Sequence, residues 1–262
     1  MGTAATVQPT APVTFVINAN NAASVAGVER CPTLCSSCSL RALCLPCGIK
    51  GVDVKSVDEL VFTRRRIRRG ESLYRVGNPF TSLFAVRSGF LKSYAIADDG
   101  REQVTGFQMM GEMVGLDGIE TDVHNLNVDA IEDTVVCVIP FARLEQLASR
   151  VPELQRQLHR MMSREIVRDQ GVMMLLGTMQ ADERVAAFLL NLSQRFAARG
   201  YAAAEFLLRM TREEIGSYLG LKLETVSRVF SKLQKSRLID IQNKHVRIRN
   251  VAGLKAVLGQ AA

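Results

Sequence analysis

The chain has 262 residues, 47% of them hydrophobic, with 33 Lys and Arg against 26 Asp and Glu and a formal net charge of +7. This is enough for two modest domains, each with its own core. No stretch approaches the roughly 20 consecutive apolar residues of a membrane span, and the start lacks the basic and apolar runs of a signal peptide. The expectation is therefore a cytoplasmic protein with no membrane partner.

Residues 1–30 are rich in Ala, Thr, Val and Asn without helical or alternating period, and read as a flexible tail. Residues 31–50 hold five of the six cysteines, Cys31, Cys35, Cys38, Cys44 and Cys47, within "CPTLCSSCSLRALCLPC". In a reducing compartment such a segment binds metal or does redox work more readily than it forms disulfides. Soft thiolates select zinc, copper(I) or iron–sulfur groups. Two groupings compete. Cys35, Cys38, Cys44 and Cys47 form C-x2-C-x5-C-x2-C, which resembles a self-contained zinc site with a short central gap. Cys35, Cys38 and Cys44 could instead join the distant Cys137, since iron–sulfur sites often take a clustered set of cysteines plus a remote one. Spacing alone leaves both open, and a lone strand cysteine such as Cys137 is often only a small buried hydrophobe.

Residues 51–151 carry short apolar runs, "SLYRV", "SLFAV", "FLKSYAI", "QVTGFQM" and "TVVCVIP", separated by glycines from Gly70 to Gly118. Short strands with turn signals at that spacing predict a β sandwich or roll. Alternation in the last run places Val135, Cys137 and Ile139 on one face.

The pattern turns helical from Pro140, with a short helix over "FARLEQLASR" and a long one from Pro152 to about Leu176, within a segment spanning 152–182. A 3,4 spacing on the long helix connects His159, Met162, Ile166, Asp169, Met173 and Leu176. Such a stripe fits a coiled-coil seam between two chains, or a helix packed on its own β domain. In a symmetric seam Asp169 would face its own copy. Two carboxylates so placed repel or share a proton, which would keep the dimer weak.

Residues 183–255 alternate helix, turn and helix, then give two short apolar runs, "LIDI" and "HVRIRN", joined by "QNK", the order of a winged helix-turn-helix. From Glu183 onward there are 14 Lys and Arg against six Asp and Glu, so the basic character sits here and points to an anionic partner, double-stranded DNA. Thr211 with Glu214 forms a capping box opening one helix, and Gly220 closes it. On the next helix, near Lys222 to Ser236, the spacing turns Leu223, Val226, Phe230 and Leu233 inward and leaves Glu224, Thr225, Ser227, Arg228, Ser231 and Lys232 outside. Arg pairs with guanine O6 and N7, Glu accepts from cytosine N4, and hydroxyls bond base or phosphate. Arg209, Arg212, Lys244, Arg247 and Arg249 are the expected phosphate contacts. Nothing reads as an enzyme: His124, His159 and His245 are scattered, with no nucleophile or phosphate-loop motif.

Five pieces, "CSSCSLRALC", "LFAVRSGFLKSYAI", "GREQVTGFQMMGEMVGLDGI", "DERVAAFLLNLSQRFAARG" and "MTREEIGSYLGLKLETVSRVFSKLQ", carry a resemblance to the FNR group of bacterial transcription regulators, within the superfamily of the cyclic-AMP receptor protein. It covers Cys35 to about Arg249. The resemblance implies an α+β chain: a β roll of the cyclic-nucleotide-binding kind, a long dimerisation helix and a C-terminal winged helix-turn-helix. It also implies a 4Fe-4S cluster that oxygen converts to a 2Fe-2S form and then destroys, with its ligands falling on Cys35, Cys38, Cys44 and Cys137. Cys31 and Cys47 would be spare. Base contacts fall on Glu224, Ser227 and Arg228, and the implied target is a palindrome with TTGAT-type half-sites, bound by a homodimer. RNA polymerase is an implied partner, with the turn "ADDGRE", 97–102, as its candidate contact. A cyclic nucleotide is not expected. Relatives that bind one hold its phosphate with an Arg and a Ser or Thr after a "GE" turn, and "GEMVGLDGIETD" offers acids and no Arg there.

Overall fold

The computed structural model describes residues 28–30, 33–61 and 63–259. Residues 1–27 of the expected tail, and Cys31, lie outside the described residues. Val28–Arg30, also assigned to the tail, instead form a strand, β1, antiparallel to β2 (Thr63–Ile67) with Val28 opposite Arg65. Three residues are too few for a period to show, and the open edge of β2 supplies the pairing groups.

The cysteine-bearing segment contains a 3₁₀ turn at Cys35–Ser37 and runs on through turns to Gly48. It leads into a helix, α1 (Val52–Leu60), where only strands were expected. Val54, Val57 and Val61 are buried, a 3,4 spacing that one face of a helix satisfies and a strand does not.

Strands β3 (Ser72–Tyr74), β4 (Ser82–Ser88), β5 (Phe90–Ile96), β6 (Glu102–Met109), β7 (Met113–Val114), β8 (Asn127–Ala130) and β9 (Thr134–Pro140) complete the roll. One sheet runs β1-β2-β9-β4-β7 and the other β3-β8-β5-β6. Between them Ile67, Leu73, Phe84, Val86, Leu91, Val128 and Val136 form an apolar core. The alternation along β9 holds: Val136 faces that core, while Cys137 and Ile139 face a second one outside the five-stranded sheet.

That second core explains where the cysteine segment sits. Leu45 and Ile49 are buried there with Val57 and Leu60 of α1, Leu144 of α2 (Phe141–Ala148) and Leu154 and Met161 of α3 (Pro152–Thr178). Each fully buried Leu or Ile stabilises by about 1.5–3 kcal/mol, so two of them hold the segment firmly to the roll.

The remaining elements are α4 (Ala181–Ala197), β10 (Glu205–Leu207), α5 (Arg212–Leu219), α6 (Leu223–Lys235), β11 (Ile239–Gln242), β12 (His245–Ile248) and α7 (Val251–Val257). The expected wing hairpin is β11–β12, with β10 added as a third strand beside β12. A third core joins Phe90, Tyr94, Val104 and Phe107 of the roll to Phe188, Leu189, Ile215 and Phe230. No helix among the described residues is long and apolar enough to cross a membrane.

Candidate functional site

The helix-turn-helix follows from local chemistry. Thr211 Oγ1 accepts from Glu214 N at 3.1 Å and the Glu214 carboxylate accepts from Thr211 N at 2.7 Å, so two orphan amides at the start of α5 are paired. Gly220 ends α5 in the left-handed region, φ 62°. Gly216 lets the turn close, since a Cβ there would stand 2.5 Å from the Leu221 carbonyl oxygen. On α6 the buried residues are Val226, Val229, Phe230 and Leu233. Leu223, expected inward, is 45% exposed because it is the first residue of α6 and projects beyond the core; Val229 supplies the missing contact.

Glu224 and Arg228 are exposed one turn apart on α6, with Thr225 and Ser227 half-buried beside them. Arg228, Lys232 and Lys235, with Ser227, Ser231 and Ser236, line a shallow open depression. Lys235 and Ser236 were not among the predicted residues, although their position one turn beyond Ser231 and Lys232 was readable. Three cations with hydroxyls between them suit phosphate oxygens. No carboxylate among the described residues pairs with Arg228, whereas Lys232 is paired with Asp182.

The expected phosphate contacts are largely engaged within the chain. Arg209 pairs with Glu132 at 3.0 Å, Arg247 with Glu205 at 3.2 Å, and Arg249 with Asp240. Lys244 Nζ donates to the Arg209 carbonyl at 3.0 Å. Arg212 lies over the Phe230 ring, 3.7 Å from its centroid, and donates to the Asn243 carbonyl at 3.4 Å. Burial lowers its pKa and one of its nitrogens has no partner. Arg212 thus braces α6 against the wing turn.

On α3, Ile166, Asp169 and Met173 are exposed, and Met162 and Leu176 are half-buried toward the cleft between α3 and the roll. Val167 and Met174, 63% exposed each, extend the apolar stripe beside Ile166 and Met173 and escaped the single-column spacing. An uncovered row of four large apolar side chains on a helix is unusual for a monomer.

The structure brings Cys35, Cys38, Cys44 and Cys137 together. Burial pushes the Cys35 thiol up to about 12, helped by Cys44, Cys137, Asp58 and Cys38. The Cys44 thiol rises to about 12 through burial, opposed by a backbone hydrogen bond and reinforced by Cys137 and Cys38. The surroundings fix the segment: Ser36 N donates to Asp58 Oδ1 at 2.8 Å, and the buried Gln157 of α3 donates to the Cys44 carbonyl at 3.4 Å. Among the described residues, no three His, Cys, Asp or Glu side chains are grouped tightly enough to hold a single ion. As soft donors that repel one another when ionised, these four cysteines have the chemistry of an iron–sulfur or zinc site.

A β roll feeding one long helix and then a winged helix-turn-helix defines a DNA-binding regulator of the CRP class. Residues 64–151 match the family described as cyclic nucleotide-binding domain, and residues 183–257 match the Crp-like helix-turn-helix domain. The chain is 49% identical to the transcriptional activator protein FnrA of Stutzerimonas stutzeri, over 87% of this chain and 93% of that one. It is 51% identical to the transcriptional activator protein anr of Pseudomonas aeruginosa, over 86% and 92%. Among solved structures, FixK2 from Bradyrhizobium japonicum is 32% identical, with a TM-score of 0.67 over 76% of this chain and 96% of that one. The chain therefore belongs to the FNR-type regulators of the CRP/FNR family, as its motifs implied, and is a transcription regulator rather than an enzyme.

Proposed function

We propose that this chain is an oxygen-sensing regulator active without oxygen. The reading is carried by the convergence of Cys35, Cys38, Cys44 and Cys137 from two distant parts of the sequence. Two curated relatives named anaerobic regulatory proteins, from Pasteurella multocida and Aggregatibacter actinomycetemcomitans, support the physiological setting. The four thiolates would hold a 4Fe-4S cluster, which supplies an oxidisable inorganic centre whose loss frees its ligands.

The chain's own residues convert that event into DNA binding. With all four cysteines tied, the segment is pinned on β9, and the Cys44 carbonyl holds Gln157 and with it the first turns of α3. The stripe of Ile166, Val167, Met173 and Met174 then pairs with its copy, while Asp169 of each copy opposes pairing. A homodimer sets two α6 helices one DNA turn apart over a palindrome with TTGAT-type half-sites, where Glu224, Ser227 and Arg228 read bases. One head alone has half the contacts, so a modest dimer free energy becomes a large change in occupancy. The 97–102 turn between β5 and β6 is the candidate face for RNA polymerase. A cyclic nucleotide has no part in this reading, because Glu112 is tied to arginines and Asp117 accepts from Tyr74 Oη and from the Asn125 and Leu126 amides.

The test is the visible spectrum and the iron and sulfide content under nitrogen. A brown protein that bleaches in air and then loses operator binding is expected. A colourless protein containing zinc, or one that binds DNA equally well after air, sinks the reading. Asp169→Ala should dimerise in air by sedimentation; a monomer would remove the repulsion argument.

A further inference from the structure

The tight turn Met109–Glu112 between β6 and β7 is gripped from two sides. On one side stands α4. Arg195 Nη2 donates to the Phe107 carbonyl and to Glu112 Oε2, both at 2.6 Å, and its Nε to Glu112 Oε1 at 3.1 Å. Arg199 Nη2 donates to Glu112 Oε1 and its Nε to the Met110 carbonyl, both at 2.6 Å. Burial alone would raise the Glu112 carboxyl, but Arg195, Arg199 and Arg168 outweigh it and hold it below its ordinary value. On the other side lies Leu43, the residue before Cys44. It covers Gly111, which has φ +85° and where a Cβ would fall 2.9 Å from Leu43 Cβ. Only a glycine lets the segment come this close.

The same strand docks α5. Ser217 Oγ accepts from Val104 N at 2.8 Å and donates to the Glu102 carbonyl at 2.9 Å. The Phe107 and Tyr218 rings lie 5.3 Å apart and join Phe188 in one aromatic group. The DNA-binding head is thus seated on the roll through β6 and the turn that ends it.

We propose that this turn is a lever by which the cysteine segment sets the seating of the DNA-binding head on its own chain's β roll. The idea rests on the reading that the segment repacks when its thiols are released. Two routes leave neighbouring residues: the Cys44 carbonyl reaches α3 through Gln157, and Leu43 reaches α4 through Gly111 and Glu112. Lifting Leu43 admits water to the turn, and ion pairs that are strong when shielded weaken once solvated. The head then loosens mainly through α4, because Glu112 reaches Arg168 of α3 by a longer pair, 3.9 Å, than the 2.6 Å pairs it makes with Arg195 and Arg199.

Hydrogen–deuterium exchange on the full chain under nitrogen tests this, with iron, sulfide and dimer fraction measured on the same samples. Leu43→Ala and Glu112→Gln should each speed exchange in 102–112 and 190–201 by about tenfold, the expected cost of one lost buried charged contact, with dimer fraction unchanged. Wild-type chain exposed to air should show the same increase. Wild-type rates in both variants, or rates that follow dimer fraction alone, overturn the lever. A chain without iron would instead overturn the cluster reading, and the comparison of the two variants with wild type would still decide the lever. Should Leu43→Ala lose its metal, Glu112→Gln, which touches no cysteine, carries the test.

Discussion

The recognition helix and the cysteine site are built in opposite ways. α6 lies within one contiguous stretch of 30 residues, and its capping box, closing glycine and apolar stripe are all neighbours in sequence. It is complete before it meets a partner. The cysteine site draws Cys35, Cys38 and Cys44 to Cys137 of β9, across a fold that has to form first. The packing that gathers them also raises the Cys35 and Cys44 thiols above their ordinary value. The head is therefore specified by local sequence, whereas the cysteine site depends on packing between distant parts of the chain.

The sharpest way to break the comparison is to remove the remote donor. Cys137→Ser should abolish bound iron by metal analysis while leaving the head's secondary structure intact by circular dichroism, whereas Cys47→Ser should keep the iron. Equal loss in both would return the self-contained grouping. For the head, Phe230→Ala should cost about 3–5 kcal/mol in denaturant unfolding and Leu223→Ala well under 1, because one is buried beneath Arg212 and the other exposed. Similar values would mean that α6 is seated differently.

Between the two regions, Glu165 of α3 offers a pH test. Burial pushes its carboxyl up to about 7, opposed by Arg168 and reinforced by Glu112 and Asp169. The folded chain then holds a proton that the unfolded chain has released, so stability should fall as pH rises from the ordinary value of 4.5 to about 7 and stay lower above. Glu165→Gln should flatten that interval and gain at most about 3 kcal/mol at pH 8, read by thermal unfolding across pH. An identical slope in the variant would show that another group titrates. The smallest effect is the most local. Arg228→Ala should weaken operator binding by ~1–3 kcal/mol and relax one guanine preference in a competition assay, and an unchanged preference would remove Arg228 from base reading.

The misses have physical causes. Leu223 and Val229 exchanged roles because a helical stripe fixes which residues share a face, but not where the helix begins to leave its core. Charge marks Arg212 as a candidate phosphate contact, but its seat on Phe230 depends on how α5 crosses α6. Val167 and Met174 were overlooked because one 3,4 column describes a seam narrower than the exposed face of α3. The strand at Val28–Arg30 and helix α1 exist because the sheet edge and the second core are there to receive them.

By itself, the sequence determined what depends on neighbours along the chain: the strands of the roll, the long helix, the capped helix-turn-helix and the outward Glu224 and Arg228. Periodicity, caps and turn residues act within a few positions, so they survive being read without a fold. Only the tertiary structure decided what depends on distance through space. It set Cys137 beside three thiols nearly a hundred residues away, placed Leu43 on Gly111, and closed Glu112 between Arg195 and Arg199. Those contacts are set by how sheets and helices pack, and no local pattern encodes them.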